Sequence, residues 1–138
     1  MHEYIQAYRH TEPLGSNNNV VICLMVIQNM LQFGLVGNRR DVEDLLILIT
    51  GGRSNDMQST LEEAAKARRE GLNIIVVGVS TWINVVELAG VASYPYSSTR
   101  ILLPDGYGTL PAIRSRLCNM ICNSKWTFPL TFQFQFIY

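Results

Sequence analysis

Two unbroken apolar runs restrict the fold more than any other feature of the chain. Residues 45–50 read LLILIT and residues 73–80 read NIIVVGVS. Neither alternates apolar with polar positions, so each predicts a strand covered on both faces, as in a parallel sheet. Gly51 and Gly52 end the first run. A helix is expected to start near Ser59, because Ser59 and Glu62 have capping-box spacing. Leu61, Ala64, Ala65 and Arg68 set one face of it, with the Arg68 stem able to cover apolar surface. Gly71 stands at its expected C-terminal cap. Residues 85–92 suggest a short helix and residues 100–103 a weaker third strand. Thr109 is expected to cap a last helix with Pro111 in its first turn. In that helix Leu110, Ile113, Leu117 and Met120 recur at steps of three and four. Upstream, residues 20–33 (VVICLMVIQNMLQF) read as a helix from their length and their Leu, Met and Gln content.

Strands alternating with helices imply right-handed crossovers and a parallel sheet. Function in such sheets gathers at the carboxyl ends of the strands. Here those ends are Thr50, Gly51, Gly52, Arg53 and Ser54 after the first run, and Ser80, Thr81 and Trp82 after the second. An exposed Trp82 would be a partner anchor; the favoured expectation is core, beneath the short helix.

Several function classes are excluded or weakened by composition. A length of 138 residues suits one domain or part of one. Charged residues make up 16% of the chain and apolar residues 48%, which argues against disorder over most of it. Eleven basic residues balance eleven acidic ones, which removes the electrostatic case for a nucleic-acid binder or a polybasic membrane patch. The longest uncharged apolar run, residues 20–27, is far short of a membrane span. Residues 1–10 carry no apolar core of signal-peptide length. Cys23, Cys118 and Cys122 are odd in number and so make no complete disulfide framework. Cys118 and Cys122 lie one helical turn apart without further ligands nearby, so structural or idle thiols are expected, their oxidation state open.

Catalytic constellations are weak. LITGGRSND superficially resembles the phosphate-binding turn of short-chain dehydrogenases. Asn55 and Met57 stand where that pattern needs its later glycines, and the turn lies in mid-chain. There is no Gly-x-Ser-x-Gly elbow. His2 and His10 lie in the poorly assigned amino-terminal segment. Asp41, Glu43 and Asp44 read as a solvated turn before a strand, with a calcium site a distant second, and Asn55 and Asp56 as helix-leading turn residues. Lys66, Arg68 and Arg69, balanced by Glu62, Glu63 and Glu70, read as a solvated helix face. No enzyme is expected; a nucleotide-binding oxidoreductase is the least favoured alternative.

The tail differs from the rest. TFQFQFIY alternates phenylalanine with glutamine, a period-two strand pattern and, if exposed, an aggregation hazard. A poorly ordered end is the first expectation for it, an added edge strand the second.

The stretch DVEDLLILITGGRSNDMQSTLEEAAKARREGLNIIVVGVSTWINVVELAGVASYP resembles the second half of a von Willebrand factor type A domain. LPAIRSRLCNMIC continues the likeness. It is similar to the A domains of collagen-type and matrilin-type matrix proteins. Residues 39–122 match well and residues 1–38 loosely. The resemblance implies a Rossmann-like α/β fold, a parallel sheet with flanking helices, truncated at its amino-terminal side. The expected division is a partial domain over 1–122 and a tail outside it over 123–138.

The family also implies a metal-ion-dependent adhesion site, usually holding magnesium through Asp-x-Ser-x-Ser, a Thr and an Asp. The third loop, T-D-G-x-S in the family, reads Thr50, Gly51, Gly52, Arg53, Ser54 here. Gly51 stands where the Asp ligand belongs. The second loop offers Gly15, Ser16, Asn17, Asn18 and Asn19 without the Thr. The first loop, on the family's central first strand, is absent. No metal or other cofactor is therefore expected, beyond weak cation binding. The implied function is a non-enzymatic, protein-binding, extracellular module with a degenerate metal site. Matrix or cell-surface partners would meet Asn18, Thr50, Gly51, Arg53, Ser54 and Trp82. A structural remnant without a ligand is the alternative. Without the first strand, LLILIT lacks a neighbour, so the chain is expected to be a fragment, a truncated gene model, or half of a sheet that another segment or chain completes. The Phe-rich tail is one candidate.

Overall fold

The structure, a computed structural model, describes residues 5–9, 44–123 and 131–137. Strand β1 is Ile5–Arg9, β2 is Asp44–Thr50 and helix α1 is Met57–Arg69. Strand β3 is Leu72–Gly78, followed by the short helices α2, Val85–Val91, and α3, Tyr96–Thr99. Strand β4 is Arg100–Leu102, a 3-10 segment covers Tyr107–Ile113, helix α4 is Arg114–Asn123 and strand β5 is Thr131–Ile137. The five strands form one sheet in the order β1-β5-β2-β3-β4, every neighbouring pair parallel. The helix expected over residues 20–33, and Asn18, Cys23, Asp41 and Glu43, lie outside the described residues.

The apolar runs are explained by what covers them. Successive residues of a strand point to opposite faces. Leu46, Leu48, Ile74 and Val76 join Ala64 and Ala67 of α1 and Leu88 and Val91 of α2 on one side. Leu45, Ile47, Ile49, Ile75, Val77 and Ile101 form the other face, against which Leu110, Leu117 and Met120 pack. With helices on both sides, the middle positions of β2 and β3 cannot be polar at low cost.

Helix α1 starts two residues earlier than its spacing suggests. Asp56 is its N-cap, accepting from the amide of Ser59 at 3.1 Å and from its hydroxyl at 2.6 Å. A carboxylate at the cap position takes the free amide itself, so Ser59 becomes a donor and Glu62 instead accepts from Gln58 at 2.6 Å. The Ser59 hydroxyl and amide hold the Asp56 carboxyl below its ordinary value. At the other end Gly71 adopts φ 97°, and its amide donates to the carbonyl of Arg68 at 3.1 Å. The buried face is Thr60, Ala64 and Ala67. Arg68 reaches across to donate from Nη1 to the carbonyls of Gly90 and Val91, both at 2.7 Å, at the end of α2.

The last helix also departs from expectation. Thr109 bonds backward, its hydroxyl donating to the carbonyl of Gly106 at 2.7 Å, and closes a tight turn instead of capping a helix. Pro111 falls inside the 3-10 segment, and the α-helix begins at Arg114.

Strand β5 lies in the interior of the sheet and not at its edge. It runs in register with the whole of β2, from Asp44 opposite Thr131 to Thr50 opposite Ile137. On its other side it pairs with β1, Ile5 opposite Phe132 through Arg9 opposite Phe136. It thus fills the place beside β2 that the family resemblance gives to a first strand.

Asp44 is not the solvated turn residue that its acidic neighbours suggest. It opens β2, and among the described residues its Oδ1 is buried without a hydrogen-bond partner. Burial pushes its carboxyl above the ordinary 3.8. A raised acid adds no charge-burial penalty while protonated, and that penalty grows as the pH rises from the unfolded value through the folded one. Asp44→Asn is therefore expected to raise the unfolding midpoint at pH 7. The advantage should shrink steadily as the pH is lowered toward 3.8. Melting curves of both chains across that range check the sign.

Candidate functional site

The carboxyl ends of β2 and β3 form one face of the molecule, and the loops that leave them are tied to each other. Thr50 is buried, and its hydroxyl donates to the carbonyl of Gly52 at 3.1 Å. The Ser80 hydroxyl donates to the carbonyl of Gly51 at 2.5 Å and accepts from the amide of Trp82 at 2.9 Å. The Val79 amide donates to the carbonyl of Thr50 at 2.9 Å.

Ser54 is buried as well, and its partner is Glu87 of α2, a carboxylate only 3% exposed. The Ser54 amide donates to the two carboxylate oxygens at 3.3 and 3.2 Å, and the Ser54 hydroxyl donates to Oε1. Asn84 caps α2 by accepting from the amides of Val86 and Glu87, which orients the first turn and with it the Glu87 side chain. The short helix is thus pinned to the loop after β2 by a buried charge-assisted contact.

Trp82 corrects the expectation of core: it is 82% exposed. The space beneath α2 is already filled. Ile83 and Leu88 both crowd Gly78, where an added Cβ would lie 2.7 Å from the Cδ1 of each. No room is left for an indole, which instead stands out from the turn. An open groove of about 560 Å³ passes beside it, bordered by Gly52, Arg53, Thr81 and Asn84. Val85 and Val86 continue the apolar surface at 43% and 70% exposed.

The six residues singled out from sequence therefore divide. Arg53 and Trp82 are exposed at the groove, and Gly51 is half-buried behind it. Thr50 and Ser54 are buried and engaged, while Asn18 lies outside the described residues. Glu87 and Tyr107 were given no role, and Ser80 was named only as a strand end. A lone acid in the apolar segment VVELAGV was a usable signal for Glu87. Tyr107 offered none: a Cβ on Gly51 would lie 2.8 Å from its Oη, a contact between distant parts of the chain.

Among the described residues, no group of three or more His, Cys, Asp or Glu is placed to hold a metal ion. Cys118 is exposed and free on α4. No helix among the described residues is long and apolar enough to cross a membrane.

Known proteins share this fold. Residues 2–114 match the family model of the von Willebrand factor type A domain. The collagen alpha-6(VI) chain of Mus musculus is 27% identical over 125 residues, which are 89% of this chain and 5% of that protein. The solved structure of the manganese-loaded Plasmodium vivax TRAP protein is similar in fold, with a TM-score of 0.55 at 22% identity. That likeness covers 73% of this chain and 40% of the TRAP chain. With a parallel sheet flanked by helices and a family match over most of its length, the chain belongs to the von Willebrand factor type A domain family.

Proposed function

We propose that the chain is a non-enzymatic, adhesion-type binding module that meets a protein partner in an extracellular matrix setting, at the loops beyond β2 and β3. Domains of this family bind proteins, and the matched collagen chain supplies the matrix context. The observation that carries the reading is Trp82, 82% exposed beside an open groove at the face where α/β sheets place their ligands. A large aromatic held outward by a fixed turn loses little entropy on docking and can bury much area. Arg53 borders the same groove.

The metal site of the family is degenerate here in this reading. Gly51 brings no carboxylate, and the hydroxyls of Thr50, Ser54 and Ser80 are turned toward the chain's own carbonyls and Glu87. Neutral hydroxyls without that carboxylate fit a divalent cation poorly, because such an ion needs charge among its oxygen ligands. Nucleotide chemistry is equally disfavoured. The start of α1, where a phosphate would dock, carries the Asp56 carboxylate on the amide of Ser59.

Binding of the full chain to immobilised matrix proteins, collagens included, tests the proposal. Saturable binding is expected, unchanged by EDTA. Trp82→Ala should weaken it roughly 30-fold or more, the loss typical of a central aromatic anchor. Absence of binding, or a neutral Trp82→Ala, would overturn it.

A further inference from the structure

A loop that no cation orders must be ordered by something else. We propose that Tyr107 takes that part: its ring occupies the space a side chain at position 51 would need, so that Gly51 and Tyr107 are a matched pair that closes the cation position and fixes the loop. The inference rests on the cation-free reading above and adds the residue responsible.

Space, not torsion, demands the glycine. Gly71 and Gly106 adopt φ of 97° and 87°, conformations that favour glycine by themselves. Gly51 has no such φ, so its backbone would accept any residue. What excludes a side chain is the tyrosine: an added Cβ would lie 2.8 Å from Oη, 3.2 Å from Cε2 and 3.3 Å from Cζ. Three atoms of a rigid ring cannot all step aside by rotating about the Cβ–Cγ bond.

The ring is also held from behind. Tyr107 packs against the buried cluster on that face of the sheet, which includes Ile49, Val77 and Val79. The turn before it is closed by the Gly106 amide on the carbonyl of Leu103 at 3.3 Å and by both donors of Thr109 on the carbonyl of Gly106. Ser80 in turn donates to the Gly51 carbonyl at 2.5 Å. Gly51 is thus held through its carbonyl while a tyrosine ring fills the space of its missing side chain. The loop is thereby set in place, and restoring an aspartate at position 51 alone would not reopen it.

A double-mutant cycle on the full chain tests this, with Gly51→Ala, Gly51→Asp, Tyr107→Ala and the combined variants, each melted with and without millimolar manganese. The wild-type midpoint should not respond to manganese. Both Gly51 substitutions should lower the midpoint by several degrees in the wild-type background. In the Tyr107→Ala background the same substitutions should cost less than half as much. Should Gly51→Asp fail to fold, the alanine pair carries the comparison. Trypsin supplies a local readout: cleavage after Arg53 should accelerate several-fold in Tyr107→Ala, relative to cleavage within α1. Equal losses in both backgrounds, or an unchanged rate at Arg53, would overturn the role of Tyr107 alone. A manganese-dependent rise of the wild-type midpoint would overturn the cation-free reading and this inference with it.

Discussion

Removal of residues 131–138 is expected to abolish cooperative unfolding. Strand β5 is the only described element between β1 and β2, and it is paired along all seven residues of β2. Its loss would open the middle of the sheet and not merely its rim. The exposed side of β2 would then present a row of amides and carbonyls beside side chains that are buried on both faces. A buried polar group left without a partner costs about 1–3 kcal/mol. Three or four such groups equal much of the ~5–15 kcal/mol that separates a typical folded domain from its unfolded chain. The truncated chain should show a broad, sloping melt by circular dichroism and bind a hydrophobic dye. A milder variant isolates the backbone contribution. Phe134→Pro removes an amide in the middle of an interior strand, where proline is not tolerated, and should lower the midpoint sharply. A truncated chain that melts as sharply as the full one would show that the sheet does not depend on its fifth strand.

The parts of this fold that were legible in the sequence are those set by short-range periodicity. The runs 45–50 and 73–80 read as doubly covered strands because helices do pack on both of their faces. Gly71 read as a helix end because its φ of 97° is a local requirement. Arg53 and Trp82 read as loop residues at the strand ends, which follows from the sheet being parallel. What was not legible depends on contacts made at long range. Nothing near Trp82 shows that Ile83 and Leu88 win the space under α2. Helix α1 was misplaced by two residues because Asp56 and Ser59 both suit a cap, and only the geometry shows which accepts. The tail pattern TFQFQFI suggests a strand without requiring one, and only the missing first strand of the family made it a candidate neighbour for residues 45–50; nothing in the pattern shows that β1 pairs on its other side. Gly51 was legible as a departure from the family's T-D-G-x-S loop, whereas its neighbour Tyr107 was invisible, since no spacing rule joins a glycine to a tyrosine in another loop.

Glu87 is the residue on this face whose loss should cost the most stability. Glu87→Ala is expected to destabilise the chain by about 2–4 kcal/mol, the sum of an unsatisfied buried amide and hydroxyl on Ser54 and a small cavity. For a domain of this size that is a fall of roughly 6–15 °C in the unfolding midpoint. The reasoning turns on asymmetry. The Ser54 amide and hydroxyl point at a carboxylate that is 3% exposed, so water cannot easily replace it when it goes. Glu87→Gln keeps an acceptor of the same shape but gives up the charge that strengthens each bond, and should cost about 1 kcal/mol. The order alanine worse than glutamine separates the loss of charge alone from the loss of acceptor and volume together, because glutamine keeps both of the latter. The same pair of variants joins the fold to its function. Glu87 holds α2 against the loop after β2, and the turn bearing Trp82 connects β3 to α2. Loosening that contact should therefore weaken partner binding even where the folded fraction is restored by working well below the midpoint. Binding that follows only the folded fraction would instead mean that the Trp82 turn is held by Ser80 alone.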